Sequence, residues 1–196
     1  MKLNSDDTKL FYKLNWALLF YTNQKYPVIK NLKEPNFKNR PPVDIKNLFE
    51  RLISHIEIID SFVDENPFGF TKEELEIIKS WKHFVSSRFL VMAYLRDYTV
   101  FWMISDEQEV YGVLGLYDNI RDVIPRSLPQ YVDTILLPFR GKIIYCGFIN
   151  GYNVQIDGNL KQGLQEEYQK IKRKSGIITS LDWHVSEGIR NELQRK

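Results

Sequence analysis

Chemistry in proteins rests mostly on histidines, thiols and converging carboxylates, and these are thinly spread in this chain. There are 3 histidines, His55, His83 and His184, and they stand far apart in sequence. None has a second His or Cys at ligand spacing, and neither C-x-x-C nor H-E-x-x-H occurs, so no histidine-based metal site is expected. The single cysteine, Cys146, lies inside the apolar run IIYCGF. No base stands beside it in sequence to lower its pKa, so it is expected to pack as a small hydrophobe. No G-x-S-x-G elbow, phosphate loop or dinucleotide fingerprint occurs. Gly147 to Gly151, with Gly158 ahead of a helix, could meet an anion, but Asp157 beside them would repel phosphate. Carboxylates do gather around the central segments: Asp97, Asp106, Glu107, Glu109, Asp118, Asp122 and Asp133. Paired, they could hold Mg²⁺ for phosphoryl chemistry, with Lys142 completing a nuclease-like set beside Asp118 or Asp133, although Asp and Glu are also ordinary turn residues. No residue is assigned a catalytic role, and no cofactor is expected.

Binding chemistry has more material. Arg140 and Lys142 flank Gly141, and Lys170, Lys172, Arg173 and Lys174 end a helical stretch. These basic groups are the candidate binding residues, suited to an acidic partner or to nucleic-acid phosphates. The chain is also rich in aromatics, with 12 Phe, 11 Tyr and 4 Trp. Such side chains build cores first, and can also stack on bases or fill a partner's pockets.

The elements that position these residues follow from periodicity. Residues 7–26 carry Leu10, Leu14, Ala17, Leu18 and Tyr21 at helical spacing, with Asp6 or Asp7 as cap. Phe11, Trp16 and Phe20 add apolar surface elsewhere on that helix, so it is expected to be buried or to pack on a second copy of the chain. The proline-rich stretch 27–43 reads as a surface linker. A second helix is expected over 44–65, and a third over 71–85, opened by a capping box at Thr71 and Glu74.

After Ser87 the texture becomes β-branched and aromatic, in FLVMAYL, TVFWMIS, VYGVLGL, YVDTILLPF and KIIYCGFINGYNVQI. The intervals are too short for parallel crossovers, so an antiparallel meander is expected. Gly112, Gly115, Gly147 and Gly151 are candidate bends or bulges. Arg140-Gly141 reads as a two-residue hairpin turn, and Pro138 places its strand at an edge or bulge. NIRDVIP reads as a single helical turn, residues from 158 return to helical period, and 182–194 suggest a last short helix.

Composition fits a globular cytoplasmic protein of 196 residues, 43% hydrophobic and 27% charged. The N-terminal stretch has no signal-peptide pattern, and no apolar run reaches the length of a membrane span. The net charge of +2 is unevenly distributed: residues 2–51 hold 10 Lys/Arg against 5 Asp/Glu, and residues 52–138 hold 7 against 14. A near-neutral chain with an acidic centre is not a dedicated nucleic-acid coat.

The stretch SLPQYVDTILLPFRGKIIYCGFI resembles a pattern of uncharacterised bacterial proteins: a Leu-Pro pair, an apolar strand, LPF, a basic residue, Gly and an IIY-x-G strand. Here these are Leu128-Pro129, Leu137-Pro138-Phe139, Arg140-Gly141 and Ile143 to Gly147. VYGVLGLYD and FYKLNWALLFYTNQKY look similar as well. Where that pattern has an acid before the last glycine, this chain has Cys146. The resemblance implies a shared architecture and brings no activity, cofactor or site residue.

The expected architecture is α+β, in a single folding unit spanning 1–196. N-terminal helices (1–86) pack on a five-stranded antiparallel, strongly bent or barrel-like sheet (87–157), followed by C-terminal helices (158–196). The expected function is a non-enzymatic, cytosolic binding or regulatory module with a protein partner, including a homodimer through the apolar first helix. Two alternatives stay open: a nucleic-acid-binding protein, and a metal-dependent nuclease or phosphodiesterase. No membrane partner is expected.

Overall fold

The computed structural model describes residues 1–105, 108–124, 127–152 and 156–181. They fall into two compact units, one formed by Asn4–Lys82, the other by Met1–Leu3 together with the chain from His83 onward. The expected helix over 182–194 lies outside the described residues.

The first unit is helical. Helix α1 spans Ser5–Lys25, and its cap is Asn4 rather than Asp6 or Asp7: the Asn4 side chain accepts from the Asp7 N–H. Both aspartates still favour the positive end of the helix dipole. Phe11, Leu14, Ala17, Leu18, Leu19 and Tyr21 are buried, as an all-round apolar helix requires. Helices α2 (Pro42–Ser54), α3 (Ile58–Glu65) and α4 (Lys72–Ser80) pack against it.

The single helix expected over 44–65 is in fact two, α2 and α3. His55 leaves helical geometry at φ −135° and ψ 58°, and its ring stacks on Tyr26 at 4.0 Å. The apolar stripe continues through the break, so periodicity alone does not reveal it. The stretch before α2 is also less superficial than its prolines suggest, because Ile29 and Phe37 are buried. Asn23 holds its start, accepting from the N–H groups of Val28 at 2.8 Å and Ile29 at 2.7 Å.

Helix α4 opens with the expected capping box: Glu74 N–H donates to the Thr71 hydroxyl, and Thr71 N–H donates to Glu74 Oε2. Glu74 Oε1 also receives Lys13 Nζ of α1 at 2.5 Å. The α4 helix stops at Ser80, short of the expected 85, giving way to a 3₁₀ turn at Trp81–His83 before the first strand.

The second unit is built on five strands: β1 (Val85–Tyr94), β2 (Thr99–Met103), β3 (Val110–Leu114), β4 (Gln130–Phe139) and β5 (Lys142–Gly151). They pair in the order β1-β2-β3-β5-β4, and β4 returns to β1, so the sheet closes in a ring. Four of the pairings are antiparallel. The all-antiparallel meander fails at one place: β3 runs parallel to β5, at Val113↔Ile143 and Leu114↔Ile144. The segment after β3, with the short helix α5 (Ile120–Val123), carries the chain across to lay β4 beside β1. Strand β5 then hairpins back in the same direction as β3.

Strand alternation gives this sheet two faces. Phe89, Phe101 and Tyr111 meet on the inner face, with ring centroids 5.8 and 6.2 Å apart. Leu90, Met92, Val100, Trp102 and Val110 form the outer cluster, covered by Tyr168 and Ile171 of helix α6 (Gly158–Ser175). Past Ser175 the chain lies against β3: Ile178 donates to the Val110 carbonyl and accepts from Gly112 N–H, both at 2.8 Å.

The β4–β5 hairpin turns at Arg140 and Gly141, with φ of 50° and 70°. Both residues are left-handed, as a type I′ turn demands, so Arg140 bears a conformation that side chains disfavour. Pro138 lies beyond the last residue of β4 that β1 reaches, Leu136, so its missing N–H costs no bond to β1. Of the four expected glycine bends, Gly147 sits in the irregular stretch of β5 where the register shifts. Gly112 instead makes room for the Tyr98 ring, Gly151 for Gln130, and Gly115 for the backbone of Asp118.

A Cβ on Gly115 would stand 2.1 Å from the Asp118 carbonyl oxygen, while one on Gly163 in α6 meets nothing within 4 Å. Gly115→Ala should therefore lower unfolding free energy by more than about 2 kcal/mol, and Gly163→Ala should raise it by about 0.5–1 kcal/mol, both read by urea denaturation. The Lys13 hydrogen bond holds the Glu74 carboxyl below its usual pKa. Its contribution is thus present above the unfolded carboxyl's value of about 4.3 and lost as pH falls through the lower folded value. Glu74→Gln should flatten that acid limb of the stability profile.

Candidate functional site

The basic residues singled out by sequence stand on two different elements. Arg140, exposed, and Lys142, half-buried, mark the β4–β5 turn. Lys170, Lys172, Arg173 and Lys174 occupy the end of α6, where cations complement the helix dipole. Lys170 pairs with Glu167 at 3.3 Å, Lys172 lies over the Tyr168 ring at 5.9 Å, and Arg173 Nε donates to the Gln169 carbonyl. The α6 group therefore has local partners that account for much of its placement.

A more organised arrangement lies on the outer face of β1, β4 and the end of β5. Register places Arg88 opposite Asp133, and Asp133 opposite Asn150, in one row across three strands. Leu90 opposite Tyr131 begins the next row, and Tyr152 N–H donates to the Tyr131 carbonyl at 3.0 Å. Arg88 Nε is 3.5 Å from Asp133 Oδ1, and its guanidinium lies 5.1 Å from the centre of the Tyr152 ring. The Tyr152 hydroxyl donates to Asp133 Oδ2. Hydrogen bonding to Tyr152, followed by the charges of Tyr152 and Asp133, raises the Arg88 pKa, so the cation is secure.

Ile104, 43% exposed, joins this group through its N–H to the Arg88 carbonyl. Arg88, Ile104, Tyr131 and Tyr152 line a depression of ≈ 410 Å³. Its chemistry is a flat aromatic and aliphatic floor, with one guanidinium whose charge Asp133 balances. Such a surface can take an aromatic or proline ring and hydrogen-bond a carbonyl.

The described central carboxylates form no metal-binding cluster. Among the described residues no group of three His, Cys, Asp or Glu is placed to hold a metal ion. Asp133 is engaged by Arg88 and Tyr152, Asp97 stands beside Arg96 at 3.9 Å, and Asp122 accepts from Asn119. Asp106, Glu107 and His184 lie outside the described residues. His55 is taken up by its stack on Tyr26. Among the described residues no helix is long and apolar enough to cross a membrane.

Sequence reasoning missed Arg88, Tyr131 and Tyr152 and weighed Asp133 only as a metal ligand. The legible signal was the i, i+2 spacing of Tyr131 and Asp133, which puts both on one strand face. What brings Arg88 and Tyr152 to them is the pairing of β4 with strands on both sides. No protein-family model, curated protein or solved structure matches the chain. The functional reading rests on this geometry.

Cys146 is fully buried and donates weakly to the Phe148 carbonyl at 3.6 Å. Burial pushes its thiol pKa up, against smaller opposing hydrogen bonds. Iodoacetamide at about pH 8 should therefore label the native protein far more slowly than protein unfolded in guanidinium. Comparable rates in both states would contradict this burial.

Proposed function

We propose that the chain is a non-enzymatic protein-binding module, which takes an extended polypeptide segment on the face formed by Arg88, Ile104, Tyr131 and Tyr152. The observation that carries this reading is the three-way contact of Arg88 with Tyr152 and Asp133. It holds a flat guanidinium and a phenol ring in place in advance, so little side-chain entropy remains to be lost on binding. Tyrosine and arginine are the side chains that protein interfaces concentrate. Asp133 supports a polypeptide over a nucleic acid, because its carboxylate would face any phosphate brought to Arg88.

The basic end of α6 favours the second reading, nucleic-acid binding. That reading entails affinity that falls linearly in log–log form with salt.

Selection from a displayed peptide library should enrich peptides with an aromatic residue or proline beside a backbone-exposed stretch. Tyr152→Ala and Arg88→Ala should each weaken the selected peptides by about tenfold or more, with little change in melting temperature. If no peptide is enriched, or both variants bind as wild type, the proposal fails. Salt-sensitive retention of single-stranded oligonucleotides, lost on neutralising Lys170 to Lys174, would favour the alternative.

A further inference from the structure

A second recess lies at one end of the ring, where β1 turns into β2 and α5 closes over the strand ends. It has a volume of ≈ 260 Å³ and is lined by Met1, Tyr94, Leu95, Thr99, Asn119, Arg121 and Asp122. Nothing in the peptide-binding face described above involves these residues.

Backbone and side-chain bonds hold its walls. Tyr94 OH donates to the Ile124 carbonyl at 2.9 Å, tying β1 to the end of α5. Leu95 N–H reaches the Tyr98 carbonyl at 2.9 Å, and Gly115 N–H reaches the Met1 carbonyl at 3.1 Å. Thr99, only 2% exposed, supplies a polar floor.

The polar groups are complementary in sign and adjacent. The Arg121 guanidinium lies 5.0 Å from the centre of the Tyr94 ring. A guanidinium held over a ring keeps N–H donors for other partners, and a carboxylate can take two of them at once. Arg121 has no ion pair among the described residues. Next to it, Asp122 accepts from Asn119 Nδ2 through Oδ2 at 2.9 Å, which leaves Oδ1 for a donor. Leu95, 41% exposed, and Met1, 49% exposed, add an apolar rim.

A guanidinium, a neighbouring carboxylate and an apolar rim match the three parts of one ligand class. We propose that this recess binds a free α-amino acid with an apolar side chain: its carboxylate on Arg121, its ammonium on Asp122, its side chain against Leu95 and Met1. The recess, at ≈ 260 Å³, lies below the roughly 300–1,000 Å³ of pockets for drug-sized ligands, which suits a ligand the size of an amino acid. The adjacent Asp122 disfavours a simple anion.

The test is a nitrogen–proton NMR titration of the full chain with L-leucine, run beside acetate and isobutylamine. Leucine should shift the amides of Tyr94, Leu95, Arg121 and Asp122 in a saturable way, with Kd below about 1 mM. Each single-charge analogue should bind at least about tenfold more weakly. Arg121→Ala and Asp122→Asn should each weaken leucine by about tenfold or more, whereas Lys161→Ala on α6 should leave it unchanged. Asp122→Asn is nearly isosteric, so its result stands even where Arg121→Ala perturbs the turn. The proposal is overturned if leucine causes no saturable shift at about 10 mM, if acetate matches leucine, or if Asp122→Asn binds as wild type.

Discussion

The parallel pairing of β3 with β5 makes a ring out of what would otherwise be a strip. Without it, β1, β2 and β3 form a meander, and β4 and β5 form a hairpin attached to its far side. With it, Phe89, Phe101 and Tyr111 acquire a closed inner face. The parallel register is possible only because β4 first crosses to β1 and reverses. Gly115 serves that crossing, since the chain leaving β3 folds back so tightly that Asp118 occupies the place of a side chain. The outer row of polar side chains rests on other pairings, those of β4 with β1 and β5. The row Arg88, Asp133, Asn150 exists because β4 has strands on both sides.

Much of the local structure was legible in sequence, because local structure is governed by interactions within a few residues. Thr71 and Glu74 marked a helix start through paired hydrogen bonds that depend on spacing alone. Arg140-Gly141 marked a hairpin, and the return of period 3.6 after Asp157 marked α6. The break at His55 was not legible, because the apolar stripe runs through it and the ring it stacks on, Tyr26, lies 29 positions earlier. The same applies to the β3–β5 pair: short intervals argue against a crossover between consecutive strands, but β3 and β5 are not consecutive.

Legibility of the binding residues divides along the same line. Lys170 to Lys174 form a cluster in sequence and are visible to any count of charge. Arg88, Asp133 and Tyr152 are each unremarkable in their own neighbourhood. Asp133 was weighed only as a metal ligand, yet it holds both a cation and a phenol. Arg121 on Tyr94 repeats the theme at the end of the ring, again with residues brought together by strand order rather than spacing. Aromatic abundance is plain in the composition, but abundance alone does not say which rings are buried in the core and which carry an arginine.

Ile178 carries one more consequence. Parallel contact with β5 covers only the last part of β3, leaving the edge at Val110 to Gly112 to be filled by the chain itself. An open strand edge invites other chains to add to it, and proteins guard such edges with charge, bulges or a covering segment. Here the guard is a single residue bridge, set after the left-handed Gly176 that ends α6. The amphipathic α6 thus does more than cover Trp102 and Val110. It leads into the segment that occupies this part of the β3 edge, so one continuous stretch of chain both buries the outer cluster and covers the strand edge.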